Sequence, residues 1–257
     1  MGNNTTINSQ GSEDLKNQVV SLRREIEDLH NGNQALWFLL VNISKKIQAS
    51  STAIKASVSS LLGYDIIWDA STQHEILEVI DTSTDQVSKY VMLLTLVSKM
   101  ESNSPVLNPE PNEIHEILSS VTENVSGNYP ELSIDINTHT SNSPVCVDYE
   151  YLSIALVMLF ELMIETQTLP QQLNIFTEEL KDHLFVDIKG VDQDVDKMLK
   201  VSESDIDELI QDAYLLPTTK LKLYVVYKVL ELQSIQIKIK PKIEKPTSIC
   251  LMIPIVK

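Results

Sequence analysis

Apolar residues recur at helical spacing along the first hundred positions. Between Leu36 and Leu62 they fall at Leu36, Leu40, Ile43, Ile47, Ile54, Val58 and Leu61, three, four or seven apart. That is one face of a long amphipathic helix. A second periodic stretch, His74 to Met100, turns Ile76, Ile80, Val87, Val91, Leu94 and Val97 to one side. The break between them, Gly63 to Ser71, is short, so the two helices should form an antiparallel hairpin over residues 36–101. One hairpin has too few neighbours to bury both stripes. Two hairpins, from two copies of the chain, complete a four-helix bundle. Upstream, Leu15, Leu22, Leu29 and Leu36 lie seven apart, and Val19, Ile26, Asn33 and Leu40 lie four after each. Leucine at d with β-branched residues and one asparagine at a is the seam of a parallel two-stranded coiled coil. The seam is predicted over 13–35 and runs in phase into the hairpin. Residues 1–12 are polar and expected to be disordered.

The pattern changes after Met100. Residues 102–111 hold prolines and turn formers and read as a linker. From residue 112 on, helical and alternating segments interleave. EIHEILSSVTENV is helical, LSIDINT alternates like a strand, and PVCV is a short buried strand. Asp148 caps the apolar helix YEYLSIALVMLFELMIET. LNIFTEE and HLFVDIK form a hairpin, Thr218 to Leu232 is helical, and IQIKIKPKI and TSICLMIPIV are strands. The expected layering over 112–257 is a mixed sheet with helices on one face, so the whole chain is α+β.

Composition narrows the partners. The chain of 257 residues carries 20 basic and 36 acidic side chains, a net charge of −16. Such a surface repels nucleic acid and anionic lipid and favours basic protein surfaces. Cys146 and Cys250 make no disulfide framework, which points to a reducing, cytoplasmic setting. No apolar run has the length of a membrane span. The five histidines are scattered without metal spacing, and no Cys-x-x-Cys occurs, so no metal and no cofactor is expected. Trp37 lies beside the heptad stripe and is expected to be packed or at a rim, and Trp68 is expected to be packed in the hairpin connection.

The segment NISKKIQASSTAIKASVSSLL resembles the phospho-acceptor helix of two-component sensor histidine kinases, whose pattern is like N-x-S-H-E-[LI]-[RK]-T-P-L-T-x-I. Asn42, Ser44, Ile47, Thr52, Ile54 and Lys55 stand in matching places. The acceptor histidine falls on Lys45, its acidic neighbour on Lys46 and the proline on Ser50. A protonated ammonium cannot do the work of a neutral imidazole nucleophile. The resemblance implies a face around the acceptor that docks response-regulator receiver domains, here Ser44, Lys45, Gln48, Ala49 and Thr52.

Residues 112–257 resemble the ATP-binding domain of the same kinases, the GHKL fold, a sandwich of helices on a mixed sheet. The best local match is the end, where TTKLKLYVVYKVLELQSIQIKIK and TSICLMIPIV track the family's G-T-G-L-G-L helix and its final strand, through Leu221, Leu223, Val226, Leu230 and Pro254. The nucleotide positions depart from the pattern. In MLFELM the asparagine of N-L-L-x-N-A falls on Leu162. The aspartate of D-x-G-x-G falls on Gly190 and its glycines on Asp192 and Asp194. Two glycines of G-T-G-L-G-L fall on Lys220 and Lys222. Glycine there lets backbone amides approach phosphate, and side chains should block it. The segment standing for the lid carries Asp192, Asp194, Asp196, Glu203, Asp205, Asp207, Glu208 and Asp212 against Lys197 and Lys200, a charge that repels a triphosphate. The resemblance therefore implies a homodimeric histidine-kinase relative without catalysis, signalling through protein contacts. The alternative is a phosphotransfer protein with an unorthodox acceptor such as His74.

Overall fold

The computed structural model describes residues 4–63, 68–102, 106–138, 144–165, 172–191, 215–240 and 247–255. Helix α1, Asn4–Leu61, is continuous, so coiled-coil and hairpin stretches share one rod. It starts inside the segment expected to be disordered and spans the predicted seam. Among the seam residues whose side chains are described, Val19, Leu22 and Asn33 are exposed, Leu40 is half-buried and Leu36 is buried. Leu15, Ile26 and Leu29 lie on the same helix.

Helix α2, Ala70–Glu101, runs back along α1. The turn has a local cause. Asp69 is the N-cap of α2, accepting from the Thr72 amide at 2.8 Å, and Trp68 Nε1 donates to the Ser60 carbonyl at 3.1 Å. The cap satisfies an amide that the first helical turn leaves without a partner. Packing between the two helices concentrates at their shared base. Leu36, Leu39 and Ile43 of α1 and Leu93, Leu96, Val97 and Met100 of α2 are buried. Farther along, Ile54 and Ile80 are half-buried and Val58 faces water, and beside the base itself Val91 and Trp37, at 64% exposure, are turned outward. Trp37, expected to be packed or at a rim, stands exposed beside Phe38 and is not packed.

The second part is a two-layer sandwich. Its sheet runs in the order β2 (Ser133–Thr138), β4 (Gln172–Leu180), β5 (His183–Val191), β7 (Thr247–Pro254), β6 (Gln236–Lys240). Only the β2–β4 pair is parallel. Strands β1 (Glu110–Asn112) and β3 (Val145–Val147) pair separately, so the predicted linker ends in a short strand. Helices α3 (Ile114–Asn128), α4 (Tyr149–Glu165) and α5 (Pro217–Leu232) make the other layer. Pro217 opens α5, where a missing amide hydrogen costs nothing. The core between layers is closed: Ile117, Leu118, Phe160, Leu162, Ile175, Val186 and Ile249 have no more than 1% exposure. Asp148 caps α4 through the Tyr151 amide and also accepts from the Asn108 amide, which ties the incoming chain to the sandwich. The base of the hairpin packs on this layer through α5, and Tyr224 of α5 hydrogen-bonds Glu101 at the end of α2.

Candidate functional site

Two places hold the residues singled out above. The first is a face of α1. Ser44, Lys45, Gln48, Ala49 and Thr52 follow one another at one- and three-residue steps, and all five are exposed. Two of them are satisfied within the helix: Ser44 Oγ donates to the Leu40 carbonyl at 2.9 Å and Thr52 Oγ1 to that of Gln48 at 2.8 Å. Lys45 forms no ion pair among the described residues. The opposite side of the same turns holds the hairpin together. Ser50, nearly buried, donates to Gln86 Oε1 at 3.1 Å, and the Lys46 ammonium lies 5.8 Å from the centre of the Tyr90 ring. Toward the base, Val41, Trp37 and Phe38 extend the exposed side of α1 with apolar surface.

The second place is a cavity of about 530 Å³ where the hairpin meets the helical layer. Helix α2 contributes Gln86, Lys89, Tyr90, Met92 and Leu93, and α3 contributes Ser120, Val121, Asn124 and Asn128. Helix α4 adds Ser153, Ile154, Val157, Met158, Glu161 and Glu165, and α5 adds Thr218 and Lys222. One end is ionic. Lys222 Nζ lies 2.8 Å from both Glu161 Oε2 and Glu165 Oε1. Burial alone pulls the Lys222 pKa down, but hydrogen bonds from the ammonium to the two carboxylates outweigh it and hold the value above that of free lysine. The nearby Tyr129 hydroxyl is held above its usual value by burial and then by the charges of Glu161 and Glu165. Glu161 and Glu165 are one helical turn apart on α4 and reach Lys222 across the layer.

No family model matches the chain, and no curated protein matches it in sequence. Solved structures do match in shape. The Acinetobacter baumannii histidine kinase AdeS superposes with a TM-score of 0.58 at 13% identity, over 82% of this chain and 97% of that one. The histidine kinase ThkA, in its crystal structure in complex with the response regulator protein TrrA, gives a TM-score of 0.56 at 14% identity, over 99% of this chain and 68% of that one. ShkA, in complex with AMPPNP, gives a TM-score of 0.55 at 10% identity over 83% of this chain and 45% of that one. The chain has a histidine-kinase-like fold.

Leu162, placed above at the asparagine of N-L-L-x-N-A, is fully buried in the core and does not reach the cavity. The same pattern read three residues later falls on Glu161-Leu162-Met163-Ile164-Glu165-Thr166. Its two apolar positions then sit on the buried Leu162 and Met163, and its two polar positions on the cavity-facing Glu161 and Glu165. Sequence reasoning missed these two glutamates. The signal was their spacing of four, which puts both on one face of a helix whose other face is apolar. Lys220 is buried in the first turns of α5, and Lys222 points into the cavity instead of leaving backbone bare. Gly190 lies in the last residues of β5, where the register against β7 shifts between Lys189 and Val191. Asp192, Asp194 and the rest of the acidic segment lie outside the described residues. His74 is exposed near the start of α2, with Nε2 3.3 Å from Glu78. Trp68 is half-buried in the connection.

Proposed function

We propose that this protein is a dimeric, non-catalytic signalling module that docks a response-regulator receiver domain on the α1 face. The observation that carries the reading is the exposed row Ser44, Lys45, Gln48, Ala49 and Thr52, with a lysine where the histidine kinases carry their acceptor. The row is rigid, because Ser50 and Lys46 behind it are held against α2. An ammonium there offers charge to a receiver's acidic pocket without nucleophilic chemistry. The ThkA complex supports the choice of partner, since its kinase is the one found with a response regulator. Loss of catalysis is supported at the second place as well. Read three residues later, the pattern has carboxylates in place of its amides, and the Lys222 ammonium already pairs with both of them. The dimer is supported by the apolar residues that the hairpin leaves in water, among them Val58, Leu77, Val79 and Val91. The setting is cytoplasmic, in keeping with two free cysteines and with no helix among the described residues long and apolar enough to cross a membrane.

The test compares wild type, Lys45→Glu and Lys45→His for binding to candidate receivers at two salt concentrations, with labelled ATP and Mg²⁺ in a parallel set. Lys45→Glu should weaken binding mainly through a slower, salt-dependent association. No variant should take up phosphate. Equal affinity for wild type and Lys45→Glu removes Lys45 from the interface, and phosphate on Lys45→His shows a working ATP site. Light scattering that finds only monomer at micromolar concentration removes the dimer. A second reading rests on His74, whose imidazole is exposed and oriented by Glu78. Acid-labile phosphate at His74 after incubation with a phosphorylated receiver would replace the non-catalytic reading with phosphotransfer.

A further inference from the structure

We propose that the cavity between α2 and the helical layer is a binding site for a small organic amine with an apolar body. Its volume, about 530 Å³, lies in the range of small-molecule sites. Most of its wall is apolar, from Val121, Ile154, Val157 and Met158 on one side and Met92 and Leu93 on the other. A free nucleotide phosphate does not suit such a wall, and an aliphatic or aromatic group does.

The head of the ligand is chosen by the ionic end. Glu161 and Glu165 bring two negative charges and Lys222 one positive charge, so the cluster keeps one carboxylate charge in excess. Its members are partly withdrawn from water: the Glu161 and Lys222 side chains are 14% and 18% exposed. The more open Glu165, at 46%, is the carboxylate a ligand reaches first. An ammonium placed there completes the charge balance and donates to a carboxylate, a charge-assisted hydrogen bond in a setting poor in water. A carboxylate or phosphate head at the same place meets like charge. Lys89, the other cation on the wall, is exposed at the rim and keeps its charge in solvent.

The position gives such a ligand a consequence. It touches α2 of the hairpin and α3 and α4 of the sandwich at once, so binding stabilises the packing of one on the other. The site stands independently of receiver docking.

Three probes with one body and different heads test it: phenylbutylamine, phenylbutanol and phenylbutyrate, titrated calorimetrically into the full chain. The amine should bind about tenfold or more tighter than the acid, the amount expected when a charged hydrogen bond is exchanged for like-charge contact. Glu165→Gln should weaken the amine about tenfold and change the alcohol little, because it removes the charge the amine pairs with, together with one of the two bonds to Lys222. Val157→Phe, which fills the wall, should reduce binding of all three, with circular dichroism showing the fold retained. On adding the amine, amide exchange over residues 86–93 should slow. No binding of the amine at millimolar concentration, equal affinity for amine and acid, or a Glu165→Gln variant that binds the amine like wild type would each overturn the proposal.

Discussion

The hairpin and the sandwich solve the burial problem differently. In the sandwich every long apolar side chain of α4 that faces the sheet is covered, and Phe160, Leu162 and Met163 are sealed completely. In the hairpin, only the base is sealed, where Leu39 and Ile43 meet Leu93, Val97 and Met100 and α5 packs alongside. On its outer side and beyond it α1 and α2 touch along one line and leave Trp37, Phe38, Val41, Leu77, Val79 and Val91 largely in water. A two-layer sandwich closes on itself because a sheet offers a whole face to its helices. A pair of helices has only one seam, so it stays incomplete until another surface arrives. The incomplete region carries the candidate docking row, and the cavity lies at the junction of the two regions. The two proposed binding functions thus fall on different kinds of surface in one chain.

The comparison is tested most severely by truncating one large side chain in each region. Phe160→Ala should cost about 4 kcal/mol, because a sealed core cannot collapse onto the space left behind. Phe38→Ala should change the stability of the monomeric chain by no more than about 0.5 kcal/mol, since the ring faces water until a second chain covers it. Urea unfolding followed by circular dichroism measures both, and a large loss at Phe38 would mean the hairpin is closed after all.

A smaller effect is expected where the cavity joins the sandwich. Lys222→Met should cost about 2 kcal/mol, because it leaves the half-buried Glu161 and the more open Glu165 carboxylates without their cation. Folding raises the Lys222 pKa, so its ion pairs contribute fully below the usual lysine value of 10.5 and are lost as pH climbs through the higher folded value. The gap between wild type and Lys222→Met in melting temperature should therefore be constant near neutrality and close in strongly alkaline buffer. A gap that persists there would assign the loss to packing.

The smallest effect belongs to the open end of the hairpin. The Thr72 amide and hydroxyl hold the Asp69 carboxyl below its usual 3.8, so its cap stabilises α2 above that pH and the contribution fades as pH falls through the lower folded value. Asp69→Ala should fray the first turn of α2, seen as faster amide exchange at Thr72 and Gln73, with the difference from wild type vanishing in acid. Unchanged exchange at neutral pH would show that Trp68 and its bond to Ser60 hold the turn alone.

Much of this architecture was legible before any coordinates. The long helices, the hairpin connection, the β4–β5 hairpin, the apolar α4 and the final strand all follow from period and punctuation, which depend on neighbours three or four residues away. The acceptor-like row on α1 was legible for the same reason: Ser44 to Thr52 share a face because a helix turns every 3.6 residues. The tertiary structure decided what lies beyond that range. It made Leu39 a core residue through its place at the hairpin base, and it left Trp37 outside. It also put Glu161 and Glu165 on the cavity face of α4 while sealing Leu162 in the core. A chain's periodicity names the face of a helix that will be buried, but the cation that meets Glu161 stands 61 residues away in sequence. That meeting depends on how α4 and α5 lie across the sheet, and a local pattern holds no record of it.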